Sequence, residues 1–257
     1  MITEQHREDF ARDGVIKLEG IFTDWVEVIR QGIARNMAEP GPYASENAVT
    51  EGRFFDDYCN WTRIPEFEQV IRHSPAAEIA AAVMGSPHAQ FFHDHVLVKE
   101  AATPKPTPWH ADSPYYFVEG SQTVSFWIPV DPVGTNTLRF IGGSHRWERL
   151  VRPVSWADDS DFYDDGQWRP VPDPEADPDD YAILEWPMQP GDAVLFDFKT
   201  VHGARGNESP QRRRALSLRF VGADARYVSR PGRTSPPFPD HGMTEGQKLR
   251  QDWFPIL

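Results

Sequence analysis

The spacing of apolar residues changes about a third of the way along the chain. Up to residue 87 they recur mostly at helical intervals. Thr3 is suited to cap a first helix, with Glu4 in its first turn and Phe10 on its apolar side, and Gly14 ends it. "VIKLEGIF" is a short strand-like piece. In "DWVEVIRQGIARNM", Trp25, Ile29 and Ile33 share a helical face, and Pro40 stops the helix. "PEFEQVIRHS" and "PAAEIAAAVMG" predict two more short helices, each opened by a proline in its first turn. From His88 onward the runs are short and β-rich: "AQFFHDHVLVKE", "TVSFWIPVD", "TLRFIGG", "YAILEWPMQ", "DAVLFDFKTVHG" and "RRALSLRFVG". Pro, Gly, Asn and Asp separate them, and several alternate apolar with polar. The pattern predicts a mainly β fold with flanking helices, a jelly-roll-like double-stranded barrel with the helices packed on one side. Such a barrel can carry a site in its mouth. We read one domain over 1–257, with a mostly helical part over 1–87, a barrel core over 88–222 and a C-terminal tail over 223–257.

Composition narrows the class of partner. With 39 % hydrophobic and 12 % aromatic residues, the 257-residue chain can build a real core. A formal net charge of −13 would repel a phosphate backbone, so no nucleic acid is expected. Much of the acid sits between Ser155 and Tyr181, which reads as a solvated surface loop. Cys59 is the only cysteine, which excludes an internal disulfide and a cysteine-based metal site and fits a reducing compartment. The polar start "MITEQHREDFARDG" does not resemble a signal peptide, and no apolar run approaches the ~20 residues that span a bilayer. These features predict a cytoplasmic protein without a membrane partner. Oligomeric state is not legible.

One stretch, "WHADSPYY", carries candidate chemistry. If His110 and Asp112 lie on one strand, both side chains point to the same face. Both are good ligands for a divalent first-row metal, and a third must come from a distant strand. His202 in "FDFKTVHGARGN" is the best candidate. Two histidines and one carboxylate on one face of a metal leave positions open, as in non-haem Fe(II) oxygenases, whereas a structural zinc site would close them. Eleven positions after His202 comes Arg213, whose fork suits a carboxylate. Alternation groups Arg213, Ala215, Ser217 and Arg219 on one face. Arg212 and Arg214 fall on the other, where they read as surface arginines pairing with the acidic loop.

The ordered set "HDHVLVKEAATPKPTPWHADSPYY", "VSFWIPVDPVGTNTLRFIGGSH", "PGDAVLFDFKTVHGARGN" and "RRRALSLRF" resembles the phytanoyl-CoA dioxygenase-like family of Fe(II)/2-oxoglutarate-dependent oxygenases. The resemblance covers roughly His88 to Val221. It implies a double-stranded β-helix of the cupin-like kind, with His110, Asp112 and His202 holding Fe(II), O2 as oxidant, and Arg213 pairing with the distal carboxylate of 2-oxoglutarate. It places His95 and Lys99 on a strand lining the co-substrate pocket, although both also suit a strand surface. Trp127 matches a tryptophan beside the site and equally suits the core. Tyr115 and Tyr116 border the substrate on this reading, or anchor the core. Arg205 and Arg219 could favour an anionic substrate or serve at the surface or in the framework.

Three departures stand out. Thr135-Asn136 replaces the family's usual Asn-Gly, Gly142-Gly143-Ser144-His145 replaces Pro-Gly-Ser-His, and Ala204 replaces a hydroxyl residue that often touches 2-oxoglutarate. Asp112 stands where halogenating relatives have alanine, which implies a hydroxylase that acts on a small-molecule substrate and releases succinate and CO2. Two other readings fit parts of the pattern: a catalytically silent barrel that binds a small molecule or a protein, and a cupin-like metal-dependent hydrolase or isomerase. Neither needs Arg213. The loops that line the pocket decide the substrate, so the family name does not specify an acyl-CoA.

Overall fold

Capping chemistry fixes the first helix. In the computed structural model, which describes residues 2–46, 52–134, 136–154, 162–163, 166 and 168–257, α1 spans Glu4–Asp13. The Thr3 hydroxyl accepts from the His6 N–H at 3.2 Å, and His6 Nδ1 accepts from the Thr3 N–H at 3.2 Å. This is a capping box with histidine in the usual Glu/Gln position. Gly14 closes the helix at φ 74. It also lets two segments meet, because a Cβ there would lie 2.3 Å from His145 Nδ1 and 2.4 Å from Thr200 Oγ1.

After β1 (Val15–Leu18) and a 3-10 turn at Thr23–Trp25, α2 runs Val26–Ala38 and buries Ile29 and Ile33. The pattern gave no sign of the next two strands, β2 (Ser45–Glu46) and β3 (Phe54–Tyr58). Then come α3 (Pro65–His73), with Pro65 in its first turn, and α4 (Ala76–Met84). Pro75 caps α4 from outside rather than sitting in its first turn, and its carbonyl accepts the Ile79 N–H at 3.0 Å.

The β-rich part supplies β4 (Gln90–Lys99), β5 (Thr107–His110), β6 (Val118–Glu119), β7 (Thr123–Pro129), β8 (Leu138–Ile141), β9 (Ile183–Glu185), β10 (Ala193–Phe196), β11 (His202–Ala204), β12 (Arg213–Val221) and β13 (Arg226–Tyr227). A seven-stranded sheet in the order β1-β10-β7-β12-β4-β3-β2 faces a four-stranded sheet in the order β5-β11-β8-β9. All these pairings are antiparallel. This is a jelly-roll barrel, and three strands of its larger sheet come from the first 87 residues.

The outer face of the larger sheet buries Phe126, Ile128, Leu216, Leu218 and Phe220 beneath Ile29, Ile33, Phe67 and Val70 of the helices. Between the sheets lie Trp127, Phe140, Val194, Phe196 and Ala215. The last residues pack against the barrel. Phe91 N–H donates to the Pro255 carbonyl at 2.9 Å, and Phe254 joins a cluster with Phe92, Tyr116 and Phe117. Among the described residues no helix is long and apolar enough to cross a membrane. Thr135 and residues 155–161, 164, 165 and 167 of the acidic run lie outside the described residues. In the described remainder of that run, Asp173, Asp177, Asp179 and Asp180 are exposed.

Strand alternation on β12 orders the barrel interior. Arg213, Ala215, Ser217 and Arg219 are buried and pair across the ladder with Lys99, Leu97, His95 and His93 of β4. Arg212 and Arg214 point away, as expected, and among the described residues their acidic partners lie outside the acidic run. Arg212 pairs with Glu100 at 2.7 Å and Arg214 with Asp131 at 2.7 Å.

Candidate functional site

Two adjacent strands bring the distant histidines together. In the antiparallel pairing of β11 with β5, His202 stands opposite His110, and their rings lie 4.2 Å apart between centroids. Asp112 is not on the strand with His110. The ladder stops at His110, and Asp112 takes helical backbone angles (φ −70, ψ −40) at the head of a 3-10 turn, Ser113–Tyr115. Pro114 has no N–H to continue a ladder, and the Ser113 N–H is taken by the Phe198 carbonyl at 2.8 Å. The turn still delivers the carboxylate to the same point. Asp112 Oδ1 lies 3.7 Å from His110 Nε2 and 3.9 Å from His202 Nε2. Among the described residues this is the group of His, Cys, Asp and Glu side chains placed to hold a metal ion.

The surroundings fix each ligand's chemical state. His110 Nδ1–H donates to the Pro108 carbonyl at 2.8 Å, and His202 Nδ1–H to the Thr200 carbonyl at 3.0 Å. Both Nε2 lone pairs are thereby left facing Asp112. Burial, reinforced by His202, pushes the His110 imidazole down to about 3; burial also lowers His202. Both rings are therefore neutral near pH 7 and able to ligate. Burial alone would raise the Asp112 carboxyl, but Arg219, the two imidazoles and the Ser125 hydroxyl outweigh it and hold the acid below the usual carboxylate range. Two neutral imidazoles and one carboxylate fit a divalent first-row metal with open positions.

Ser125 was not evident from the sequence. Its Oγ donates to Asp112 Oδ2 at 3.0 Å. It stands two residues before Trp127 on β7, so strand period alone could have flagged it. Ser125→Ala is expected to weaken Fe(II) binding about ten- to a hundredfold, the usual consequence of losing a group that orients a ligand. Titration of the apo-protein with Fe(II) under argon would measure it, and an unchanged affinity would show that the hydroxyl does not orient Asp112.

A cavity of about 530 Å3 opens onto His110 and Asp112. His95, Tyr115, Tyr116 and Arg219 line it, as do two side chains missed in the sequence, Tyr58 and His93. His95 Nε2 lies 3.2 Å from Asp56 Oδ2 on β3. Lys99, Trp127, Arg213 and His202 sit behind the cavity surface, deeper in the barrel. Arg205 stays outside, exposed, and pairs with Glu185 at 2.8 Å. Tyr115 also anchors a loop, since its hydroxyl donates to the Val154 carbonyl at 2.8 Å.

Behind the cavity, Arg213 and Lys99 face each other across β12 and β4. Arg213 donates to the Asn136 carbonyl, and its guanidinium lies 5.9 Å from the Trp127 ring centre. Lys99 Nζ donates to the Lys105 carbonyl at 2.8 Å and to Thr107 Oγ1 at 3.1 Å. Among the described residues no carboxylate pairs with either. Burial pushes the arginine down to about 10, and burial plus the neighbouring Arg213 and Lys105 charges push the lysine down to about 6. A buried guanidinium beside a buried amine, with no carboxylate between them among the described residues, is costly unless an anion joins them, and a dicarboxylate suits that need.

The family described as Phytanoyl-CoA dioxygenase (PhyH) matches residues 10–215. An ectoine dioxygenase of Sphingopyxis alaskensis is 23% identical over 227 residues, 81% of this chain and 72% of that one. Among solved structures, the epimerase SnoN in complex with Fe3+, alpha ketoglutarate and nogalamycin RO aligns with a TM-score of 0.79 at 20% identity, over 98% of this chain and 97% of that one. EctD from S. alaskensis with 2-oxoglutarate and 5-hydroxyectoine aligns with a TM-score of 0.73 at 21% identity, over 97% and 86%. These structural likenesses establish the shared fold.

Proposed function

The chain belongs to the phytanoyl-CoA dioxygenase family, and from that premise we propose that it is an Fe(II)- and 2-oxoglutarate-dependent dioxygenase that hydroxylates a small molecule and releases succinate and CO2. The observation that carries this reading is the buried His110–Asp112–His202 cluster, its imidazole lone pairs converging beside a cavity. When bound there, iron with 2-oxoglutarate supplies the activation of O2 needed to oxidise an unactivated C–H bond. The chain's part is to bind, orient and exclude water. His110, Asp112 and His202 would hold the metal on one side and leave the other open. Arg213 and Lys99 would take the distal carboxylate of 2-oxoglutarate, and Trp127 would cover the arginine. Tyr115 and Tyr116 would wall the substrate.

The test is succinate formation from 2-oxoglutarate by iron-loaded protein in air, screened over candidate metabolites. Metal-loaded protein that fails to bind 2-oxoglutarate would overturn the reading in favour of a silent barrel or a metal-dependent hydrolase. With a substrate in hand, products made under 18O2 in high chloride are expected to carry 18O-hydroxyl and no chlorine, because Asp112 takes the place that halogenating relatives free. A chlorinated product would remove Asp112 from the ligand set.

Co-substrate binding should also depend on pH. In the free protein Lys99 is mostly neutral above about 6. The groups facing it are Arg213 from β12, the Phe54 ring from β3, Lys105 and the Thr107 hydroxyl. A carboxylate placed there favours the ammonium form, so binding takes up a proton. Affinity for 2-oxoglutarate is therefore expected to fall as pH rises above about 6, by at most about tenfold per pH unit, since one proton is involved. The carboxylates of 2-oxoglutarate stay ionised throughout that range. Dissociation constants of the metal-loaded protein between pH 6 and 8 would measure the slope, and Lys99→Met should flatten it. A constant independent of pH in the unmodified protein would contradict proton uptake at Lys99.

A further inference from the structure

Strand β12 carries two buried arginines on one inward face, and the distal carboxylate of the co-substrate accounts for one of them. Arg213 and Arg219 are each 5% exposed. They are separated by six residues of strand, about 20 Å of backbone at ~3.3 Å per residue. Arg213 lies behind the cavity, whereas Arg219 lines its floor beside Asp112, with Nε 3.4 Å from Asp112 Oδ2. That carboxylate is shared, because Oδ2 already accepts the Ser125 hydroxyl and Oδ1 faces the two imidazoles. Tyr116 and Asp112 are the polar side chains beside the Arg219 guanidinium, but its Nε and Nη1 make no well-formed hydrogen bond among the described residues, and neither does His93 Nε2 on the facing strand. A buried guanidinium with orphaned donors is expensive to keep unless a ligand completes it.

Among the described residues, the lining carboxylates away from the metal ligands have partners. Glu46 pairs with Arg53, and Asp56 with His95. The rest of the wall near the floor is aromatic, with Tyr58, Tyr115 and Tyr116. A second arginine, Arg233, stands exposed at the mouth, 5.0 Å from the Phe162 ring centre. Resting on the oxygenase reading, we infer that the substrate is an anionic small molecule with an apolar body, whose carboxylate, sulfonate or phosphate is received by Arg219 at the cavity floor. The anion would then sit next to the metal ligands, so the carbon oxidised lies within a few bonds of it. Arg219 would act as a specificity-determining residue beside the metal ligands.

The test uses the full chain loaded with Co(II) and saturated with 2-oxoglutarate under argon, so that Arg213 and the metal are already occupied. Calorimetry compares phenylacetate, benzylsulfonate and benzyl phosphate with neutral phenylacetamide, each added as probe. At least one anion is expected to bind about tenfold or more tightly than the amide. Arg219→Gln should erase that preference, Arg219→Lys should keep part of it, and Arg233→Gln should keep it whole. Whichever anion leads identifies the group. A wild-type protein that prefers no anion, or an Arg219→Gln variant that keeps the preference, would overturn the inference. So would an Arg219→Gln variant that loses Co(II) but not the preference, because Arg219 would then serve only to position Asp112.

If the variants do not fold, 13C-carboxylate phenylacetate on the unmodified protein decides the matter. Strong broadening by Co(II), relative to the Zn(II)-loaded protein, places the anion at the floor. An unbroadened signal from bound probe places it at the mouth and overturns the inference. Failure of Co(II) or 2-oxoglutarate to bind at the loading step would instead count against the oxygenase reading, and anion binding to Arg219 would still be measurable in its absence.

Discussion

Asp112→Ala is expected to lower 2-oxoglutarate turnover by more than about a hundredfold, since groups that merely orient a ligand already account for ten- to a hundredfold. Metal affinity should fall as well, because the charged member of the ligand set is gone while His110 and His202 remain. A second effect follows from the packing. Arg219 would lose the carboxylate 3.4 Å away and be left as a buried cation, a change that typically costs about 3–5 kcal/mol. Urea unfolding of the apo-protein would separate this loss of stability from the loss of chemistry. Asp112→Asn keeps an oxygen for the Ser125 hydroxyl, so comparing the two variants isolates the charge. Wild-type turnover by Asp112→Ala would remove the residue from the metal site.

Arg213→Ala should chiefly weaken 2-oxoglutarate binding. Stranding a buried carboxylate without its charged partner typically costs about 2–5 kcal/mol, which is roughly thirty- to several-thousandfold in dissociation constant. The neighbours on the strand serve as controls. Arg212 is half exposed and pairs with Glu100, and Arg214 forms two hydrogen bonds with Asp131 on the sheet's other side. Neither touches the interior, so Arg212→Ala and Arg214→Ala should leave the titration nearly unchanged. If one of them is severe and Arg213→Ala is mild, the inward face of β12 has been assigned one residue out.

The interior of β12 was legible because a strand's period is two, so placing Arg213 inward places Ser217 and Arg219 inward with it. The same period could have exposed Ser125 from Trp127 and His93 from His95. Asp112 misled in a different way. Its two-residue spacing from His110 suggested a common strand, yet Pro114 ends the ladder and a 3-10 turn supplies the same convergence. Spacing records where side chains can meet, not which backbone brings them there. Strand β3 was hidden by its carboxylates. "FFDDY" looks too acidic for a barrel strand, but Asp56 meets His95, and Asp57 accepts from the Asn36 amide and the Gly41 N–H at 2.7 Å each. Those partners lie far away in sequence, so no local pattern announces that the charges are matched. Arg212 and Arg214 were assigned to the acidic loop on charge alone, whereas they pair with Glu100 and Asp131.

Because β1 closes one margin of the larger sheet and β2–β3 close the other, the barrel cannot be excised as the β-rich segment alone. A chain shortened to start at His88 would bare the hydrogen-bonding edges of β10 and β4, both flanked by large apolar side chains. Unpaired edges of that kind recruit strands from other molecules. Such a fragment should therefore associate edge to edge rather than persist as a smaller monomeric oxygenase, and it would have lost the Tyr58 and Asp56 side of its cavity as well.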